Sequence, residues 1–143
     1  MKSITEKRHL KHLHNLTVIA RDIEPVKSAR IAASIVHKNQ IISIGINSYK
    51  SNPLQKRFGK NSFAIFMHAE ISAINNALRI LKDKQALENT TLYIARMKKT
   101  DYGNNEWLWA YTRPCMGCQK AIDYFRIKRV IYTTDREGNF EIL

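Results

Sequence analysis

The chain has 143 residues, with 24 Lys and Arg against 12 Asp and Glu, a formal net charge of +12. That length suits one domain with its own core over 1–143, and no apolar run approaches the ~20 residues of a membrane helix. There is no signal-peptide pattern and there are only two cysteines, so a reducing, cytoplasmic setting without disulfides or membrane is expected. A balance this basic argues for polyanionic or phosphorylated partners.

Residues 4–23 read as an amphipathic helix, with Leu10, Leu13, Leu16 and Ala20 at helical spacing. His9, His12 and His14 cluster here, but they do not all share a face, and surface positions are expected for them. Asp22 to Pro25 break the pattern. Residues 31–37 and 41–48 are β-branched and apolar, with Lys38-Asn39-Gln40 between them, which predicts a hairpin. Asn47 falls at the end of its second strand. Residues 49–67 read as a long connection carrying Lys50, Lys56, Arg57 and Lys60, cations suited to meeting a phosphate.

A helix follows over 68–82, with Ile71, Ile74, Leu78 and Leu81 as its core face. Phe66 and Met67 are poor N-caps, so packing or a bound metal must fix its start. Residues 90–97 predict a strand with Leu92, Ile94 and Ala95 inward. Residues 98–109 then intervene, with a turn at Asp101 to Asn105 and Trp107, Trp109 and Tyr111 alternating, read as an extended hairpin or flap. Residues 114–125 form a helix with Cys118, Ile122 and Phe125 buried. Residues 128–134 form a strand. Nine residues remain, too few for the crossover of about a dozen that another parallel strand needs. Asp135 to Asn139 read as a turn and Phe140 to Leu143 as an antiparallel return.

Two of these helix starts carry the chemistry. One reads Met67-His68-Ala69-Glu70, the other Arg113-Pro114-Cys115-Met116-Gly117-Cys118. Cys115 and Cys118 are three apart and share a helical face. Pro114 suits the first helical position, and thiolates are favoured by the positive end of the helix dipole. His68 supplies an imidazole. One nitrogen and two sulfurs make three of the four ligands of a tetrahedral zinc, and the open fourth position is the catalytic arrangement. Glu70 is two residues from His68, so both reach one ion only if the helix begins about there. Glu70 is then free to move protons.

These half-sites, with Gly45-Ile46-Asn47 and Arg126 to Tyr132, resemble the cytidine and deoxycytidylate deaminase superfamily. The likeness runs from about Ile31 to Thr134. It implies a three-layer α/β fold, a mixed sheet flanked by helices, Zn2+ as cofactor, and an enzyme that removes ammonia hydrolytically from a base. It implies that Asn47 contacts the sugar and that backbone near Ala69 and Cys115 holds the base edge. Arg113 is the candidate anion contact at the mouth, and Tyr111 or Trp107 the aromatic to stack on a base. Two features point to different branches. The chain's ending resembles the enzymes of free cytidine, which usually carry Cys where His68 stands. Three substrates follow: a cytosine nucleotide such as dCMP, cytosine in single-stranded DNA or RNA, and, more weakly, adenosine in RNA. A non-catalytic basic module with structural zinc that binds nucleic acid is the reading outside enzymes. Relatives are often dimers or larger, but no interface is legible.

Overall fold

The computed structural model describes residues 2–26, 29–58, 66–100 and 106–143. The first helix, α1, spans Ile4–Asp22. Ser3 caps it by accepting from the Glu6 N–H at 3.1 Å, satisfying a donor that the first turn leaves free. Its apolar stripe, Leu10, Leu13, Leu16 and Ala20, is buried as the spacing predicts. The histidines differ from expectation. His14 is exposed, but His9 and His12, three apart, lie on the buried stripe. Each finds a polar partner there: His9 Nδ1 meets the Tyr93 hydroxyl at 2.7 Å, and His12 Nε2 meets Asn39 Oδ1 at 2.8 Å.

Strands β1 (Arg30–His37) and β2 (Gln40–Ile46) pair antiparallel, with His37 opposite Gln40. The turn is therefore only Lys38 and Asn39, at φ of 50° and 65°, the backbone signs of a type I′ hairpin. A short helix follows, α2 over Pro53–Phe58, inside what reads in sequence as plain connection. Helix α3 runs Ala69–Leu81, a 3-10 turn occupies Lys84–Leu87, and β3 covers Thr91–Lys99. The expected return hairpin is present: β4 (Trp107–Ala110) pairs antiparallel with the far end of β3. Its turn, residues 101–105, lies outside the described residues. Helix α4 (Met116–Tyr124) leads to β5 (Arg129–Thr133), parallel to β3, and β6 (Phe140–Ile142) returns antiparallel.

The sheet order is β2-β1-β3-β5-β6, with β4 sharing an edge of β3. β5 takes Thr91 to Ile94 of that edge, and β4 takes Arg96 to Lys99. Side chains alternate across a strand, and each face of the sheet has its own core. Leu92 and Ile94 join Ala33 and Ile35 under α3 and α4. Tyr93, Ala95 and Met97 join Ala32 and Val36 under α1. Ile35 and Val36 face opposite cores by the same alternation, and the register break opposite them falls in β2, where Ile42 is left over between Ile41 and Ser43.

One glycine sets the depth at which α3 lies on the sheet. A Cβ at Gly45 would stand 2.2 Å from Ala73 N and 2.6 Å from Ala69 O. The first turns of α3 thus touch β2 backbone to backbone, and Ser43 Oγ adds a 2.7 Å bond to Ala73 O.

Candidate active site

The α4 start is held by its own sequence. Cys115 is the N-cap, in extended conformation, and its Sγ accepts from the Cys118 N–H at 3.4 Å. Pro114 is therefore outside the helix and not at its first position, which Met116 takes. The sulfur does what a Ser or Asp oxygen does at other N-termini, and the same geometry turns both thiols one way.

The α3 start has no such device. His68 is its N-cap and makes no capping bond with its side chain. The backbone is held from elsewhere. The His68 N–H donates to Gln55 Oε1 at 2.9 Å, and the Met67 N–H to the carbonyl of Lys50 at 2.8 Å. Ser48 and Met67 exchange a pair of bonds at 3.1 Å. Gln55 is buried on α2, the element the sequence did not reveal. Its signal was present: Asn52 Oδ1 accepts from the Gln55 N–H at 2.8 Å, and Pro53 follows Asn52, a cap and first-turn proline in order.

These two starts bring three donors together. His68 Nδ1 lies 3.5 Å from Cys115 Sγ and 3.3 Å from Cys118 Sγ, and all three donor atoms lie within 4.8 Å of one another. A tetrahedral zinc, with Zn–S of about 2.3 Å and Zn–N of about 2.0 Å, sets its nitrogen and sulfur donors about 3.5 Å apart. The residues present fit the ion in donor type and in spacing. The protonation balance readies one donor of the three. Hydrogen bonding from Cys118, then from His68, outweighs burial and pulls the Cys115 thiol down to about 3. Cys118 is pushed well up by its bond to that sulfur and by burial. His68 is raised by its bond to Cys115. One thiolate thus stands ready beside a second sulfur and an imidazole, and a divalent cation competes with protons for all three.

Glu70 projects from the first turn of α3 and is only 5% exposed. Burial raises its carboxyl above the ordinary value, against the pull of its own backbone and of His68. It faces a cavity of about 520 Å3 that His68 and Cys115 also line. Of the other sequence-predicted residues, Asn47, Tyr111 and Arg113 line this cavity. Asn47 is buried, with Oδ1 accepting from the Ile31 N–H and Nδ2 donating to the Ala29 carbonyl, both at 2.9 Å. That leaves one lone pair and one N–H of its amide. Tyr111 is 42% exposed, packed edge-on against Tyr132, with its backbone N–H on Asp135.

Ala69 and Trp107 do not line the cavity. Ala69 is fully buried against Gly45. Trp107 packs beside the α1 core, with Arg30 4.9 Å from its ring centre and Lys99 at 5.8 Å. The alternation of aromatics ends with β4 at Ala110, so Trp107 and Trp109 stay on the α1 face while Tyr111 leaves it. Lys50, Lys56 and Arg57 are absent from the lining too. Arg57 rests on Phe58 and Tyr124 instead, and Lys60 lies outside the described residues. Sequence reasoning missed Arg96, the cation that β3 does bring to the cavity.

Residues 6–134 match the family model described as the cytidine and deoxycytidylate deaminase zinc-binding region. No curated protein sequence is a significant match. Among solved structures, the chain is similar to a dCMP deaminase from the cyanophage S-TIM5, at 17% identity and a TM-score of 0.55, over 96% of this chain and 89% of that one. A guanine deaminase from Bacillus subtilis is 23% identical with a TM-score of 0.51, over 90% of this chain and 63% of that one. A tRNA:A34 deaminase is 23% identical with a TM-score of 0.50, over 85% and 74%. At these identities the likeness is one of fold.

Proposed function

Because the chain belongs to the cytidine and deoxycytidylate deaminase family, we propose that this zinc enzyme deaminates the cytosine of a nucleotide such as dCMP. The observation that carries the reading is a buried carboxylate, Glu70, in one cavity with a His and Cys donor set of zinc spacing. His68, Cys115 and Cys118 would hold the ion, three protein ligands as in catalytic rather than structural sites. When bound, zinc supplies the Lewis acidity that brings a water's pKa toward neutrality.

Glu70 moves the protons. Its carboxylate takes one from the attacking water and delivers it to ring nitrogen N3. It then passes the water's second proton to the departing amine. The C4–O bond forms, the C4–N bond breaks, and cytosine plus water becomes uracil plus ammonia. A carboxyl raised by burial is a better proton donor near neutral pH than an ordinary glutamate. Asn47 and Arg113 face the substrate from the cavity wall, and Tyr111 offers an exposed ring at its rim. The solved dCMP deaminase from S-TIM5 in complex with dCMP and dUMP, 17% identical over 92% of this chain, supports a nucleotide as the substrate class.

A second reading, cytosine within single-stranded nucleic acid, is favoured by Trp107 between Arg30 and Lys99 and by the net charge. Ammonia release from zinc-loaded protein with cytidine, dCMP and a single-stranded oligonucleotide separates the readings. Release from dCMP in preference to the others is expected. Binding of the oligonucleotide with no release from any substrate would instead mark a nucleic-acid-binding module with structural zinc.

A further inference from the structure

Arg96 and Arg113 both line the cavity, and among the described residues neither guanidinium has a carboxylate partner. Arg96 is half-buried, and among the described residues its Nε is shut from solvent with nothing to donate to. A buried donor left unpaired costs free energy, and such a group persists where a ligand's acceptor completes it. The strand explains the placement. Arg96 has the parity of Leu92 and Ile94, whose side chains face α3 and α4. It is also where the edge of β3 passes from β5 to β4.

Thr133 rivets that seam. Its Oγ1 accepts from the Arg96 N–H at 3.1 Å and donates to the Ala110 carbonyl at 2.8 Å. Its carbonyl accepts from the Thr112 N–H at 3.3 Å. One residue thus ties the backbone of Arg96 to the segment that carries Arg113. The half-buried guanidinium is set by a strand and the exposed one stands at the rim.

We infer that Arg96, with Arg113, forms an anion subsite for the phosphate monoester of the substrate, so that the chain selects a nucleoside monophosphate over the nucleoside. This rests on the reading that a cytosine nucleotide occupies the cavity. A planar guanidinium presents paired donors to phosphate oxygens, and a cavity of about 520 Å3 is of the size that holds one small ligand.

The test is calorimetric titration of the zinc-loaded full chain with dUMP, the product of the proposed reaction, and with deoxyuridine. The wild type should bind dUMP at least ~10-fold more tightly, the worth of a charged hydrogen bond. Arg96→Gln should remove most of that preference, and Arg96→Lys part of it, since a point charge lacks the fork. Arg21→Gln, an exposed change on α1, should leave the preference unchanged. If Arg96→Gln fails to fold, the wild type still decides. Inorganic phosphate should weaken dUMP binding and spare deoxyuridine. Equal wild-type affinity for dUMP and deoxyuridine overturns the inference, as does an equal loss in Arg21→Gln. Tighter binding of a single-stranded deoxyuridine oligonucleotide than of dUMP overturns the monoester in favour of a phosphodiester. Absence of ammonia release with the dUMP preference intact would sink the reaction and leave the subsite standing.

Discussion

The α4 start and the α3 start meet at one cluster of donors, yet they are built in opposite ways. The first is local. Cys115 caps its own helix through Sγ, and Cys118 sits one turn on. The second is tertiary. His68 has no cap of its own and is held by Gln55 of α2, by backbone at Ser48 and Lys50, and by the bare approach of Gly45. A helix start that caps itself can be read from a few adjacent residues. One held from four places in the chain cannot, and its imidazole is placed by packing outside the donor cluster.

The sharpest way to break the tertiary half is Gly45→Ala. The new methyl would meet backbone at Ala73 and Ala69, which cannot swing aside as a side chain would. A loss of about 3 kcal/mol or more is expected in urea unfolding, the upper range for overpacking. Gln55→Ala comes next. It leaves the His68 N–H without its acceptor, at about 1–3 kcal/mol. Metal affinity, measured by competition with a chelator, should fall ~10–100-fold, as for other groups that orient a ligand.

The opposite face of the sheet supplies a smaller effect of a different kind. Burial lowers the pKa of His9, with Arg129 and His12 adding to the shift and Glu6 opposing it. As pH falls below about 6.5 the unfolded chain takes the proton first. Stability from His9 is therefore complete above that value and lost on acidification through the lower folded value. The melting temperature should fall between pH 7 and 5 more steeply in the wild type than in His9→Gln. Least of all should come Pro114→Ala. Pro114 lies outside α4, whose cap is Cys115, so no cap is lost and only the packing of its buried ring is, at about 1 kcal/mol. A large loss there would mean that the α4 start is not self-sufficient.

The same division decides how much of the molecule was legible. Periodicity located α1, α3, α4 and the strands to within a residue or two, because each long element writes its own buried face. The antiparallel ending was read from the turn residues Asp135 to Asn139 and the short stretch after Thr134. The six residues of α2 are too few to show a period, and its proline, with Asn52 before it, lay in a stretch read only as a connection. His9 and His12 looked like surface groups because their partners, Tyr93 and Asn39, lie 84 and 27 residues away. Four cations between residues 50 and 60 drew attention to a connection, while Arg96 was hidden in an apolar strand. Which strand residue reaches the cavity is settled by where the β3 edge changes partner, and no local pattern records that.

The central claim is that one metal is held jointly by the two helix starts, with Glu70 as the group that moves protons beside it. Metal content and ammonia release, measured side by side on wild type, Glu70→Gln and His68→Ala, test it most directly. About one zinc per chain is expected in wild type and in Glu70→Gln, with turnover of dCMP in the latter down at least ~100-fold, the scale of a lost general acid–base. His68→Ala should lose the metal. Full metal in His68→Ala, or undiminished turnover in Glu70→Gln, would contradict the account.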